Sequence, residues 1–159
     1  MTYVGQFSSG DVLTAADMNT VGASCQVYVT SFTVPANTNQ FIDFTNTITD
    51  LYGWHSPFTN PDRITVPVAG MYRVTFSATR ASGSQPTRMQ VRIMRNLSSA
   101  PHSNGTIDIE ADYLRTMTVS ALVDASAGQY FGGRIYQSNA TSGDVNFTCT
   151  LAVTLVGAQ

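Results

Sequence analysis

From Ser24 onward apolar and polar residues alternate with a period of two, the repeat of strands that bury one face. Cys25, Val27 and Val29 alternate with Gln26, Tyr28 and Thr30, and Tyr72, Val74, Phe76 and Ala78 alternate with Met71, Arg73, Thr75 and Ser77. Residues 89–95, 106–113, 117–123, 129–137 and 145–156 read the same way, and the shorter runs 41–44 and 64–68 bring the expectation to about eight strands. Turn-forming residues separate them: Pro35-Ala-Asn37, Asn60-Pro61-Asp62, Ala69-Gly70, Ser82-Gly83-Ser84, Pro101 through Gly105, Ala127-Gly128 and Ser142-Gly143-Asp144. The pattern predicts an all-β fold, a sandwich or jelly roll.

The front of the chain departs from it. Thr14 is a good N-cap, Asp17 stands at the capping-box position, and Ala15, Ala16 and Met18 favour helix, which predicts a brief helix of one or two turns. So short a helix is stable only when docked on something. With no repeat or linker dividing the rest, the chain reads as an N-terminal docking arm, residues 1–23, and one head domain, residues 24–159.

Composition narrows the function. A chain of 159 residues can bury a self-sufficient core. Only 11% of it is charged, the net charge is -2, and no basic cluster occurs, so there is no electrostatic footprint for nucleic acid. No residue is Lys, and Arg63, Arg73, Arg80, Arg88, Arg92, Arg95, Arg115 and Arg134 are the cations, which excludes phosphate-loop and Schiff-base lysine chemistry. No apolar run reaches the ~18 residues of a membrane span and the N-terminus lacks signal-peptide features, so synthesis in a cytoplasm without membrane insertion is expected. Cys25 and Cys149 are too few for a disulfide framework and read as small buried apolar residues.

Chemistry-bearing residues are sparse. His55 and His102 are the histidines, both in loop-like contexts with no nucleophile elbow, H-E-x-x-H or phosphate loop beside them, so neither an enzyme nor a cofactor is expected. Asp108, Glu110 and Asp112 would share one face of a strand. Hard cations take such oxygen sets, but Arg88 and Arg92 on the preceding strand could pair with the same carboxylates, and ion pairing is the stronger reading. Phe41, Phe44, Tyr52, Trp54 and Phe58 cluster in one segment. Most aromatics of a β-domain are core, and Trp54 with His55, together with His102, are the residues expected at a recognition surface, where aromatic faces suit saccharides or protein partners.

Two regions resemble known families. Residues 41–55, then Arg63-Ile-Thr-Val-Pro67-Val-Ala-Gly70-Met-Tyr72-Arg-Val-Thr-Phe76, resemble the globular head of the complement and tumour-necrosis-factor jelly-roll superfamily, whose hallmark Pro-x-x-Gly-x-Tyr is met by Pro67, Gly70 and Tyr72. The stretches 89–96, 123–136 and 147–157 resemble later strands of that head, with Gln129 where Asp is usual and without the common terminal Phe-x-Gly. Phe7-Ser-Ser-Gly10-Asp-Val12-Leu13-Thr14-Ala-Ala-Asp17-Met18-Asn19 resembles an arm found at the front of many bacteriophage tail and fibre proteins. Together the resemblances imply a structural virion protein: a homotrimer of jelly rolls packed through an apolar interface, docked to other virion proteins by Phe7, Val12, Leu13 and Met18. They imply a tail tip or fibre head that contacts the host surface, with a host glycan as a partner, or alternatively a capsid decoration protein whose arm stabilises the shell. Recognition is then expected in the loops 54–60, 82–87, 96–105 and 138–144.

Overall fold

Alternating residues become strands where their inward rows can meet a second sheet. The computed structural model describes residues 22–83, 86–97, 103–108, 116–138 and 143–158, and among these they do so in ten strands. These are β1 (Ser24–Val34), β2 (Thr38–Phe41), β3 (Asn46–Asp50), β4 (Ile64–Thr65), β5 (Gly70–Gly83) and β6 (Arg88–Arg95), then β7 (Ser103–Asp108), β8 (Thr116–Ala125), β9 (Tyr130–Ser138) and β10 (Val145–Ala158). One sheet runs β3-β1-β10-β5-β8 and the other β2-β9-β6-β7, with β4 added to β9; every pairing is antiparallel. Between them lies the core, centred on Val27, Val74, Phe76, Phe147 and Leu151 from the first sheet and Met89, Val91, Ile93, Phe131 and Ile135 from the second.

Parity is kept along most strands and broken once in β1. Val29 pairs with Cys149 but Phe32 pairs with Phe147, so one extra residue bulges the strand near Thr30 and Ser31. Inward positions are odd up to Val29, then Phe32 and Val34. On the second sheet Gly133 faces Phe76 so closely that a Cβ there would stand 2.4 Å from the ring.

The strands differ from the sequence expectation in several places, and β5 also runs on through Ser82 and Gly83, expected in a turn. Residues 41–44 continue as strand only to Phe41; Ile42 and Phe44 are buried in an extended connection whose N–H groups donate to Gly133 O and Pro61 O, outside any ladder. Within 64–68 only Ile64 and Thr65 pair, because Pro67 has no N–H for a ladder. The strand expected at 106–113 is described over Ser103–Asp108, so Asn104 and Gly105, expected in a turn, are strand residues opposite Arg92 and Val91: an available partner edge overrides weak local propensity. β3, almost wholly polar, has no alternation and was not expected at all. No helix occurs among the described residues, and the brief helix with Phe7, Val12, Leu13 and Met18 lies outside them. Cys25 and Cys149 are buried, as expected, and both are free thiols.

Candidate functional site

The connection 51–63 between β3 and β4 holds Tyr52, Trp54 and Phe58, and Asp50 organises it. Its carboxylate accepts the Trp54 N–H at 2.7 Å and the His55 N–H at 2.9 Å, turning both side chains inward. Trp54 is 5% exposed and packs edge-on to Tyr72, ring centroids 6.1 Å apart. His55 is 9% exposed, with Nδ1 2.8 Å from Arg63 O and Nε2 3.0 Å from Phe44 O. The expectation that Trp54 and His55 form a recognition surface is therefore corrected: one completes the core and the other is buried between the carbonyls of two chain segments. Each imidazole nitrogen faces a backbone carbonyl, and a neutral ring donates to one of the two, according to its tautomer. The large apolar side chains this loop does present to solvent are Leu51, Tyr52 and Phe58, the last 95% exposed.

Tyr72 anchors the same region. Its hydroxyl donates to Val68 O at 2.8 Å, tying the strand back to the Pro67 turn, and burial pushes its phenol up.

Hydrogen bonds sort the expected recognition loops onto two ends of the sandwich. At one end Thr87 N donates to Ser138 O, Asn37 N to Gln137 O, and the Gln137 amide to Val34 O and Gly143 O, so the connections after β1, β5 and β9 lie side by side. Gly83 is at φ +99°, and a Cβ there would lie 2.4 Å from Asp144 O; only glycine lets these two connections touch. At the other end Asn96 N donates to Tyr130 O, Gly128 N to Val66 O, and Arg63 lies over the Tyr130 ring at 4.3 Å. Gly22, the first described residue, is at that second end, its N–H donating to Leu155 O. The described ends of two of these loops, residues 82–83 with 86–87 and 138 with 143–144, thus sit opposite Gly22, and 54–60 sits beside it.

His102, Glu110 and Asp112 lie outside the described residues. Asp108 ends β7 directly opposite Arg88 in the ladder. Among the described residues no three His, Cys, Asp or Glu side chains come together as metal ligands.

Sequence reading missed the arrangement on the outer face of the second sheet. Arg134 on β9 is directly opposite Arg92 on β6, and Phe41 on β2 is opposite Arg134, whose guanidinium lies 5.4 Å from the ring. The next row is Asn39, Tyr136 and Gln90, and Gln90 Oε1 accepts from Arg92. Both Nε atoms of the arginine pair are buried without a hydrogen-bond partner. Burial first, and the Arg92 charge second, push the Arg134 guanidinium below its ordinary value. Parity placed each arginine outward, but only the β6–β9 register makes them neighbours. The outer face of the first sheet is different in kind: Thr75 with Ser120, Ser77 with Thr118 and Thr79 with Thr116 pair their hydroxyls across β5 and β8 at 2.8 to 2.9 Å.

No protein-family model matches the chain, and no curated protein does. Among solved structures it is similar to the globular domain of zebrafish complement 1qA protein, with 15% identity and a TM-score of 0.59 over 86% of this chain and 99% of that one. It is also similar to the PRD1 vertex protein P5, with 12% identity and a TM-score of 0.57 over 86% of this chain and 98% of that one. These likenesses establish the fold as the jelly-roll sandwich that Pro67, Gly70 and Tyr72 implied.

Proposed function

We propose that the chain is a non-enzymatic structural protein of a phage virion: a trimeric head at a tail tip or fibre, held to the particle by residues 1–23 and presented to the host surface. The observation that carries this reading is the arm sequence Phe7 to Asn19 ahead of a jelly roll that also resembles a vertex protein of the phage PRD1. The polarity of the sandwich supports it. Gly22 lies at one end, and residues 82–83, 86–87, 138 and 143–144, which flank the connections after β5 and β9, lie at the other, away from the arm's point of attachment. Leu122 and Val156, exposed on the first sheet, supply apolar surface for packing against further copies.

A second reading, a capsid decoration protein, is favoured by the description of that neighbour as a vertex protein. Imaging of particles with and without the labelled chain separates the two. Signal at the tail end, with adsorption lost on removal, is the expected result; signal over the head, with normal adsorption and a shell that ruptures more easily, overturns the host-contact reading in favour of decoration.

A further inference from the structure

The paired arginines of the second sheet are an arrangement that folding alone does not explain. Like charges directly opposite each other on adjacent strands repel. Here the repulsion is compounded by partial burial, and two guanidinium N–H groups are left unsatisfied. Neither Arg92 nor Arg134 has a carboxylate partner among the described residues. The acid on the loop that covers the neighbouring position of this face is already engaged: Asp62 backbone packs against Gly132, while its carboxylate is held by Arg63 Nε at 2.8 Å and a terminal nitrogen at 3.2 Å. Phe41 and Gln90 hold Arg134 and Arg92 in place rather than neutralise them.

We propose that Arg92 and Arg134 together bind the carboxylate of an acidic saccharide, whose ring lies on Tyr136 with Asn39 and Gln90 facing its hydroxyls. A planar carboxylate can accept from the terminal guanidinium nitrogens of both arginines at once, and its negative charge offsets the repulsion between the strands. Charge complementarity selects an anion, and the half-buried Tyr136 with flanking amides selects a sugar over a bare ion. The saccharide's source as a host glycan rests on the host-contact reading above, but the chemistry of the site does not.

Titration calorimetry of the full chain at low salt with a galacturonic acid oligomer tests it, using the methyl-esterified oligomer and dextran sulfate as comparisons. Binding of the free acid is expected, with the ester silent. Arg92→Gln and Arg134→Gln should each weaken binding by more than about tenfold while leaving the melting temperature unchanged or raised, because each also removes the repulsion. A purely structural pair would instead lower the melting temperature. Arg134→Lys, which keeps charge but not the fork, should bind weakly. The proposal is overturned by absence of wild-type binding, by equal binding of dextran sulfate that the variants do not affect, or by binding that appears only after Glu110→Gln and Asp112→Asn, which would make the chain's own acids the occupant. Binding in vitro together with signal over the capsid would leave the site standing and sink the host-contact reading alone.

Discussion

Gly133→Ala is the sharpest test of how the two sheets meet. A Cβ at Gly133 would lie 2.4 Å from Cε2 of Phe76 and 2.7 Å from Cδ2 and Cζ, against the roughly 3.5–4.0 Å of a relaxed carbon contact. The ring must therefore retreat by about 1 Å or more. It has nowhere to go: Phe76 is fully buried and edge-on to Phe44, centroids 6.4 Å apart. Overpacking of this kind costs about 1–3 kcal/mol. At about 2–4 °C per kcal/mol for a domain of this size, the melting temperature should fall by about 2–12 °C. Thermal and urea denaturation measure it, at one protein concentration because association would shift the midpoint. Phe76→Leu supplies the decisive arm, since a shorter side chain makes room for the methyl group. The double variant should be more stable than the sum of the two single effects predicts, by about 1 kcal/mol or more. A Gly133→Ala effect within about 0.5 kcal/mol of zero, or strict additivity in the double variant, would refute the contact as the reason for glycine.

His55→Ala should destabilise by about 1–3 kcal/mol in urea unfolding, because the carbonyl that accepts from the imidazole, Arg63 O or Phe44 O, loses its buried donor; a loss below ~0.5 kcal/mol would mean the contact is not structural. Asp50→Ala should free the 51–63 loop, read as faster limited proteolysis there, and unchanged cleavage would contradict its role as the loop's anchor. The Cys25 thiol is pushed up to about 12 by burial and then by Asp50, and Cys149 to about 12 by burial, so iodoacetamide at pH 8 should modify neither until the protein unfolds. Their folded pKa values exceed the ordinary 9.0, so the folded state keeps protons that the unfolded chain releases. The contribution is intact below about pH 9 and is lost as pH rises toward 12; Cys149→Ala should flatten that alkaline slope.

Much of the architecture was legible because one-sided burial writes itself into parity. Tyr72, Val74, Phe76 and Ala78 all turn inward where alternation placed them, and Tyr72 sits at the centre of the motif that pointed to the jelly roll. β3 was invisible because an edge strand with little to bury carries no apolar row, and its pairing comes from β1 alone. Trp54 and His55 were misplaced for a related reason. Their burial depends on Asp50, four and five residues back, and on Tyr72 and two carbonyls brought near only by the fold. The Arg92 and Arg134 pair shows the same limit at the level of register: the face of each side chain is local information, the identity of its neighbour across the ladder is not.

The bulge in β1 has a bearing on how this strand can change length. Apolar residues fall at 25, 27 and 29 and then at 32 and 34, so the sequence contains an odd spacer that the ladder absorbs by leaving one residue out of step. Deleting a residue there would close the ladder with Phe32 and Val34 still facing inward. Adding or deleting one anywhere between Cys25 and Val29 would rotate part of the core row to solvent. The strand thus behaves like a coded message with a single frame-correcting site, and tolerance to insertion and deletion should be concentrated at Thr30 and Ser31.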